Sequence, residues 1–134
     1  MRSNSSNNTA NAQRRQLPLF DFTFVDLDQG SGNKRAERVE AWSFAEYYVM
    51  DDNDLQVLQM QGTRMSFEST EYGTGGDNPM DPMAMSEQQM RRAVTITYAN
   101  TACFNVMLGV TGHQNQYGRK ILFAGIYNTS ATQQ

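Results

Sequence analysis

Residues 73–98 read GTGGDNPMDPMAMSEQQMRRAVTITY, and they form the most strongly punctuated stretch of this 134-residue chain. A glycine-rich turn opens the stretch and leads into the polar elbow Asp77–Pro82, in which two prolines restrict the backbone. Turn residues of this density separate elements of regular structure rather than forming one. The elbow therefore predicts a rigid crossover between two sheets.

A short helix and a strand are predicted directly after the elbow. Ser86 and Gln89 have the Ser-x-x-Gln spacing of a capping box, in which each side chain satisfies a free backbone donor at a helix start. This spacing predicts one short helix near 84–92. Apolar and threonine residues then alternate over 93–98, which predicts a strand.

Alternating apolar residues predict strands along most of the chain. In the first strand, Phe20, Phe22 and Phe24 share one face, as expected of a half-buried strand. The predicted strands are 17–28, 37–49, 55–60, 64–71, 93–98, 104–110 and 119–127. Seven or eight antiparallel strands with one short helix predict an all-β sandwich of immunoglobulin-like or jelly-roll type.

The predicted domain covers residues 17–127 and leaves a polar segment at each end. Residues 1–16 are rich in Asn, Ser, Gln and Arg, which predicts a disordered arm or linker. An arm that orders on a neighbouring subunit is the alternative. Residues 128–134 are predicted to form a polar tail.

The alternation is imperfect in one strand, residues 37–49. Val39 is out of phase with Trp42 and Phe44, and a β-bulge would restore the phase because one extra residue reverses the facing of those that follow. A helix over residues 35–47 is the alternative interpretation.

Charge and hydropathy exclude several classes of partner. The net charge is −3, but residues 1–16 contain three arginines and no acid, so the remainder has 8 basic and 14 acidic groups, a balance of −6. Such a domain is a poor partner for nucleic acid or an anionic membrane. The chain contains no run of about 18 apolar residues, so membrane insertion is not predicted. The N-terminus also lacks the apolar segment of a signal peptide.

The chain is predicted not to be an enzyme. It contains one histidine, His113, and one cysteine, and no Gly-x-Ser-x-Gly elbow stands near either. Nucleophilic catalysis needs a base held against a nucleophile, and a zinc site needs several His or Cys ligands. A catalytic carboxylate pair assembled in space is the weaker alternative.

Calcium is the cofactor that the sequence favours, because Ca²⁺ takes six to eight hard oxygen ligands and acidic loops supply them. We predict a site formed by Asp26 and Asp28, at the end of the first strand, with Asp77 and Asp81 from the elbow. The alternative is that each loop is a turn in which the side chains bond to their own backbone.

Four methionines, Met80, Met83, Met85 and Met90, cluster around the elbow. The flexible thioether fills irregular gaps, so these side chains are predicted to pack beneath the crossover. An exposed methionine surface that contacts a partner is the alternative.

Four segments together resemble a family, namely residues 22–28, 73–82, 89–94 and 123–125. They resemble an uncharacterised β-sandwich module of secreted or cell-surface proteins of algae and marine microbes, and the likeness covers roughly residues 19–127. The resemblance implies an extracellular or cell-surface location and a structural or adhesive role. It brings no catalytic residues.

Two functional hypotheses follow. The first is a non-enzymatic structural or adhesive subunit of an extracellular or surface assembly, such as a filament, cell-surface layer or virion, whose partners are proteins or further copies of itself. The second is a calcium-dependent carbohydrate-binding module, in which His113 and Tyr117 would contact the glycan.

Overall fold

The computed structural model describes residues 14–33, 35–74, 76–112 and 120–127. These residues form two four-stranded antiparallel sheets and one short helix, which confirms the predicted all-β sandwich. In chain order the elements are β1 (Leu17–Val25), a 3₁₀ turn (Ser31–Asn33), β2 (Glu37–Trp42), β3 (Glu46–Tyr48), β4 (Leu55–Gln59), β5 (Met65–Ser69), α1 (Glu87–Arg91), β6 (Val94–Thr101), β7 (Asn105–Val110) and β8 (Leu122–Tyr127). The tail and most of the predicted arm lie outside the described residues.

The strands are wound in a nested order. One sheet has the order β3-β6-β1-β8 and the other has the order β4-β5-β2-β7. The pairs β1·β8, β2·β7, β3·β6 and β4·β5 nest within one another like a long hairpin folded over on itself. This winding is typical of the jelly roll, one of the two predicted sandwich types.

Strand β1 supplies the centre of the core. Phe24 is buried, and Phe20 and Phe22 pack against the same cluster, as the alternation predicts. The opposite face is polar, where the hydroxyls of Thr23 and Thr95 on neighbouring β6 lie 2.9 Å apart. The residues buried in the core are Phe24, Leu27, Val39, Ala41, Leu55, Phe67, Val94, Ile96 and Tyr98.

The bulge and the helix predicted around residues 37–49 are both wrong. Strand β2 keeps an unbroken register with β7 along its whole length and with β5 over Arg38–Ala41. The chain then leaves this sheet at Ser43, whose φ is 58°, and β3 pairs with β6 in the opposite sheet. Trp42 is the last residue of β2 and has the parity opposite to Val39, so it belongs to the outer face, whereas Phe44 lies in the connection between the sheets and packs against the core.

The elbow crosses between the sheets as predicted, since it joins β5 of one sheet to β6 of the other through α1. The capping box also forms. The Ser86 hydroxyl accepts from the Gln89 amide at 3.2 Å, and the Gln89 side chain accepts from the Ser86 amide at 2.9 Å. One turn of helix therefore positions the residues that enter β6.

The predicted methionine packing beneath the crossover is wrong for three of the four residues. Met80, Met83 and Met90 are 101%, 75% and 39% exposed. Polar contacts hold the elbow instead, because the Gln89 side chain donates to the Asp77 carbonyl at 3.0 Å and the Arg92 guanidinium contacts the Asp77 carboxylate at 2.7 Å. The thioethers are left on the outside of the turn.

Candidate functional site

Three of the four predicted calcium ligands meet at one end of the sandwich, which we call the acidic end. Asp26, Asp28 and Asp77 each place a carboxylate oxygen within 4.8 Å of the other two. Asp81 is not part of this group. It is exposed, and its carboxylate accepts from the Met83 amide at 2.9 Å within its own turn.

The other predicted site residues, His113 and Tyr117, lie outside the described residues. The glycan contact that was assigned to them stays a prediction.

The end of β1 directs the first two carboxylates inward. Asp26 follows the strand with φ of 60°, a left-handed conformation that Asp adopts more readily than most residues. The next amide, of Leu27, donates to the Arg92 carbonyl at 3.0 Å, and the amide of Asp28 donates to the Glu37 carboxylate at 3.3 Å. Asp26 and Asp28 are consequently buried, at 8% and 4% exposure.

Gly73 allows Asp28 to reach its position. A Cβ atom at Gly73 would lie 2.0 Å from the Asp28 Oδ2 atom, so the carboxylate rests directly against the glycine backbone. The loop around it is fixed by backbone contacts: the Gly73 amide donates to the Gln29 carbonyl at 3.2 Å, and the Ser69 hydroxyl donates to the Asp28 carbonyl at 2.7 Å. The glycine-rich turn is therefore part of the site itself.

Arg92 and Asn78 connect the elbow to the rest of the acidic end. Arg92 is largely buried and contacts the carboxylates of Asp77 at 2.7 Å and Asp54 at 3.4 Å. With its amide nitrogen turned toward Asp26, Asn78 donates to both oxygens of that carboxylate, at 2.7 and 3.2 Å. The ion pairs of Arg92 and the hydrogen bonds of Asn78 compensate part of the cost of burying carboxylates.

Glu37 is a fourth buried acid beside this group. It is 2% exposed, and burial raises the pKa of its carboxyl to about 8, with a further contribution from the negative charge of Asp26. Near neutral pH the protonated form of Glu37 is therefore the main one.

The spacing at the acidic end suits a hard divalent cation. Calcium–oxygen distances of about 2.3–2.6 Å place two ligands on one ion at most about 5 Å apart. The carboxylate oxygens of Asp26, Asp28 and Asp77 satisfy this limit. These three residues are the ones that could hold Ca²⁺, whereas Asp81 does not join them.

Sequence reasoning missed three residues of the acidic end. Glu37 carried a usable signal, because it shares the inner parity of Val39 and therefore places an acid on an apolar face. Arg92 gave no such signal, since its carboxylate partners are distant in sequence. Gly73 is one of three glycines within residues 73–76, and the sequence does not distinguish the one that touches Asp28.

A second candidate region, the open edge, consists of the edge strands β7 and β8. The Phe22 ring contacts Phe104, just before β7, and Phe123 on β8, which places both strands on the same side of the sandwich. By strand parity Leu108 and Phe123 face inward, yet they are 42% and 59% exposed. Val110 has the same parity and is 45% exposed.

An apolar cleft of about 530 Å³ lies at this open edge. Aromatic rings form much of its wall, and the single cysteine is exposed there. The aromatic residues that line it are Phe20, Phe22, Phe104 and Tyr127. A surface of this composition is typical of contact with another apolar surface rather than with water.

Comparison with known proteins identified no relative: no family model matches the chain, and neither the curated proteins nor the solved structures contain a similar one. The resemblance to surface-protein modules therefore stays a prediction. None of the helices in the described part of the chain is long and apolar enough to cross a membrane.

Proposed function

We propose that this protein is a non-enzymatic structural or adhesive subunit that joins an extracellular or cell-surface assembly through its open edge. The observation that carries the proposal is that inner-face side chains of β7 and β8 are exposed, at 42–59% for Leu108, Val110 and Phe123. Side chains that belong to a core by parity but lie in water favour association, because contact removes their apolar surface from water.

The chemistry of the two strands supports the same proposal. Neither β7 (NVMLGV) nor β8 (LFAGIY) contains a charged residue or a proline. Soluble proteins usually protect edge strands with charges, prolines or short length, since an unprotected edge pairs with other chains. Strand β3, at the opposite edge of the β8 sheet, is only three residues long and contains Glu46.

The test is the mass of the whole chain in solution, measured by light scattering during size-exclusion chromatography over a range of concentrations. We expect oligomers, and we expect Phe123→Lys to shift the protein to the monomer. Tyr48→Lys is the matched control, because Tyr48 is an aromatic residue of similar exposure, 65%, on the opposite edge strand of the same sheet. A strict monomer at high concentration would rule out assembly by this edge.

Calcium binding at the acidic end is a second candidate function, favoured by the approach of Asp26, Asp28 and Asp77 within 4.8 Å. A ligand present at about 100 times its Kd stabilises the folded state by about 2.7 kcal/mol, which raises the Tm of a domain of this size by about 10 °C.

The calcium test compares melting in excess Ca²⁺ with melting in excess EDTA. Asp77→Asn should abolish the calcium-dependent rise, whereas Asp81→Asn, which alters an exposed turn outside the cluster, should retain it. An identical melting transition in Ca²⁺ and in EDTA would contradict calcium binding at the acidic end. Glycan binding depends on His113 and Tyr117, and a glycan array with and without calcium tests that prediction.

A further inference from the structure

Among the described residues, strand β8 has a single neighbouring strand. It pairs with β1 over Leu122–Tyr127, and the described residues place no strand on its other side. Alternate backbone amides and carbonyls of an edge strand point away from the sheet and are free to bond to another extended chain. The occupant that fits must therefore be a strand.

The side chains of β8 restrict which strand fits. Phe123 lies opposite Phe24 of β1, and Gly125 lies opposite Phe22, so both belong to the inner face. Leu122 and Ile126 belong to the outer face by the same parity. The inner face thus alternates large and small residues, and its exposed Phe123 ring needs a small residue beside it.

We propose that the occupant is β8 of a second copy, paired antiparallel about a two-fold axis at Ala124; this inference rests on the assembly proposed above. In that register Phe123 lies opposite Gly125 of the second copy, on both sides of the axis. Aromatic side chains that cover a glycine on the facing strand are a known device for stabilising a sheet edge. On the outer face, Leu122 lies opposite Ile126 of the second copy.

Parity restricts the possible registers. A two-fold axis perpendicular to the sheet keeps the inner faces of both copies on the same side, so each residue must oppose one of its own parity. An axis through any residue of the strand meets this condition, and the axis through Ala124 is the one that places Phe123 opposite Gly125 and pairs residues 122–126. Two sheets of four strands would then form one continuous eight-stranded sheet.

Charge is compatible with this pairing. Strand β8 has no charged residue, so no like charges meet across the axis. The nearest acid on the outer face, Asp21 of β1, is opposite Ile126 and accepts from the Thr97 hydroxyl at 2.6 Å. Across the interface, the outer-face neighbour of Ile126 would be Leu122 of the second copy, which is apolar.

Single cysteines test the register directly in a Cys103→Ser background, because Cys103 is exposed and would otherwise react. With the axis at Ala124, the two Ala124→Cys residues oppose each other with Cα atoms about 4.5–5.5 Å apart, within disulfide range. Leu122→Cys and Ile126→Cys are the controls, since each is displaced from its own copy by four residues, or about 13 Å along the strand.

We expect a covalent dimer from Ala124→Cys in a mild redox buffer at micromolar protein, and monomers from the two controls. Equal cross-linking at all three positions, or none at 124 in a chain that light scattering shows to be oligomeric, would overturn the β8 pairing and leave the assembly standing. A monomeric chain would overturn the assembly itself. A larger complex that forms only with another protein at this edge would also contradict the proposal.

Discussion

The acidic end and the open edge contrast in burial: one buries acidic side chains, and the other exposes apolar side chains. At the acidic end, Asp26 and Asp28 are acidic groups that are buried; Asn78 donates to the Asp26 carboxylate, and Arg92 pairs with the neighbouring Asp77. At the open edge, Phe123 and its neighbours are apolar groups that lie exposed. A buried acidic group needs hydrogen-bonding or charged partners from its own chain, while an exposed apolar patch marks a surface for contact with another molecule.

The comparison implies that substitutions at the acidic end alter stability, and that substitutions at the open edge alter association. Unfolding measurements on variants of the acidic end and of the aromatic core test the effect on stability. Light scattering and cross-linking of open-edge variants test the effect on association.

The largest effect is expected from Arg92→Met. Removal of one member of a buried ion pair leaves the other charge without compensation, and the free energy of unfolding should fall by about 3–5 kcal/mol. Arg91→Met is the matched control. Its side chain is 38% exposed and pairs with Asp52 and Asp54, so a loss of about 1 kcal/mol or less is expected. Urea denaturation measures both, and equal losses would mean that burial does not set the cost.

The next effect is expected from Gly73→Ala. The added Cβ would lie 2.0 Å from the Asp28 Oδ2 atom, and forced displacement in a packed site costs about 1–3 kcal/mol. Gly76→Ala serves as the control, because a Cβ there meets only the Thr74 hydroxyl at 3.8 Å and should change stability by about 0.5 kcal/mol at most. A loss no greater than that of Gly76→Ala would contradict the close contact.

A pH effect of similar or smaller size is expected from Glu37. Its pKa is about 8 in the folded state and ordinarily 4.5, so the protonated form is the one that the fold favours. This contribution is complete below pH 4.5 and is lost as the pH rises through 8. Between pH 6 and 7 the free energy of unfolding should fall by at most about 1.4 kcal/mol. Glu37→Gln should reduce the dependence of the free energy of unfolding on pH. The same dependence in the variant would mean that other groups cause it.

The smallest effect is expected from Tyr98→Phe in the aromatic core. The Tyr98 hydroxyl is buried and has no hydrogen-bond partner among the described residues. Loss of such a group is neutral or stabilising by about 1 kcal/mol. Tyr48→Phe, at an exposed position, should have no effect. A clear destabilisation by Tyr98→Phe would reveal a partner for its hydroxyl.

Local sequence patterns predicted most of the elements because their causes are local. The alternation of Phe20, Phe22 and Phe24 and the spacing of Ser86 and Gln89 act within one strand or one helical turn. The same reasoning failed at residues 37–49, where a local bulge was predicted. Trp42 is an apolar residue on the outer face of an unbroken strand and Phe44 follows that strand, and only the pairing partners of β2 and β3 reveal this.

The candidate site was predicted in part for the same reason. Asp26 and Asp28 lie at the end of a recognisable strand, and the elbow that supplies Asp77 is conspicuous by its prolines. Asp81 was included because it flanks the prolines of the same elbow. Its own turn directs it outward instead, where it binds the Met83 amide.

The sequence by itself determined the fold class, the extent of most strands, the capped helix and the acidic loops, since propensity, alternation and turn chemistry depend on neighbours in the chain. Only the tertiary structure decided that Gly73 makes room for Asp28, that Arg92 joins Asp77 to Asp54, and that Phe123 is left in water. Each of these depends on which strands become neighbours and which become edges. That choice is made by the burial of the whole core, so it cannot be read from any single stretch.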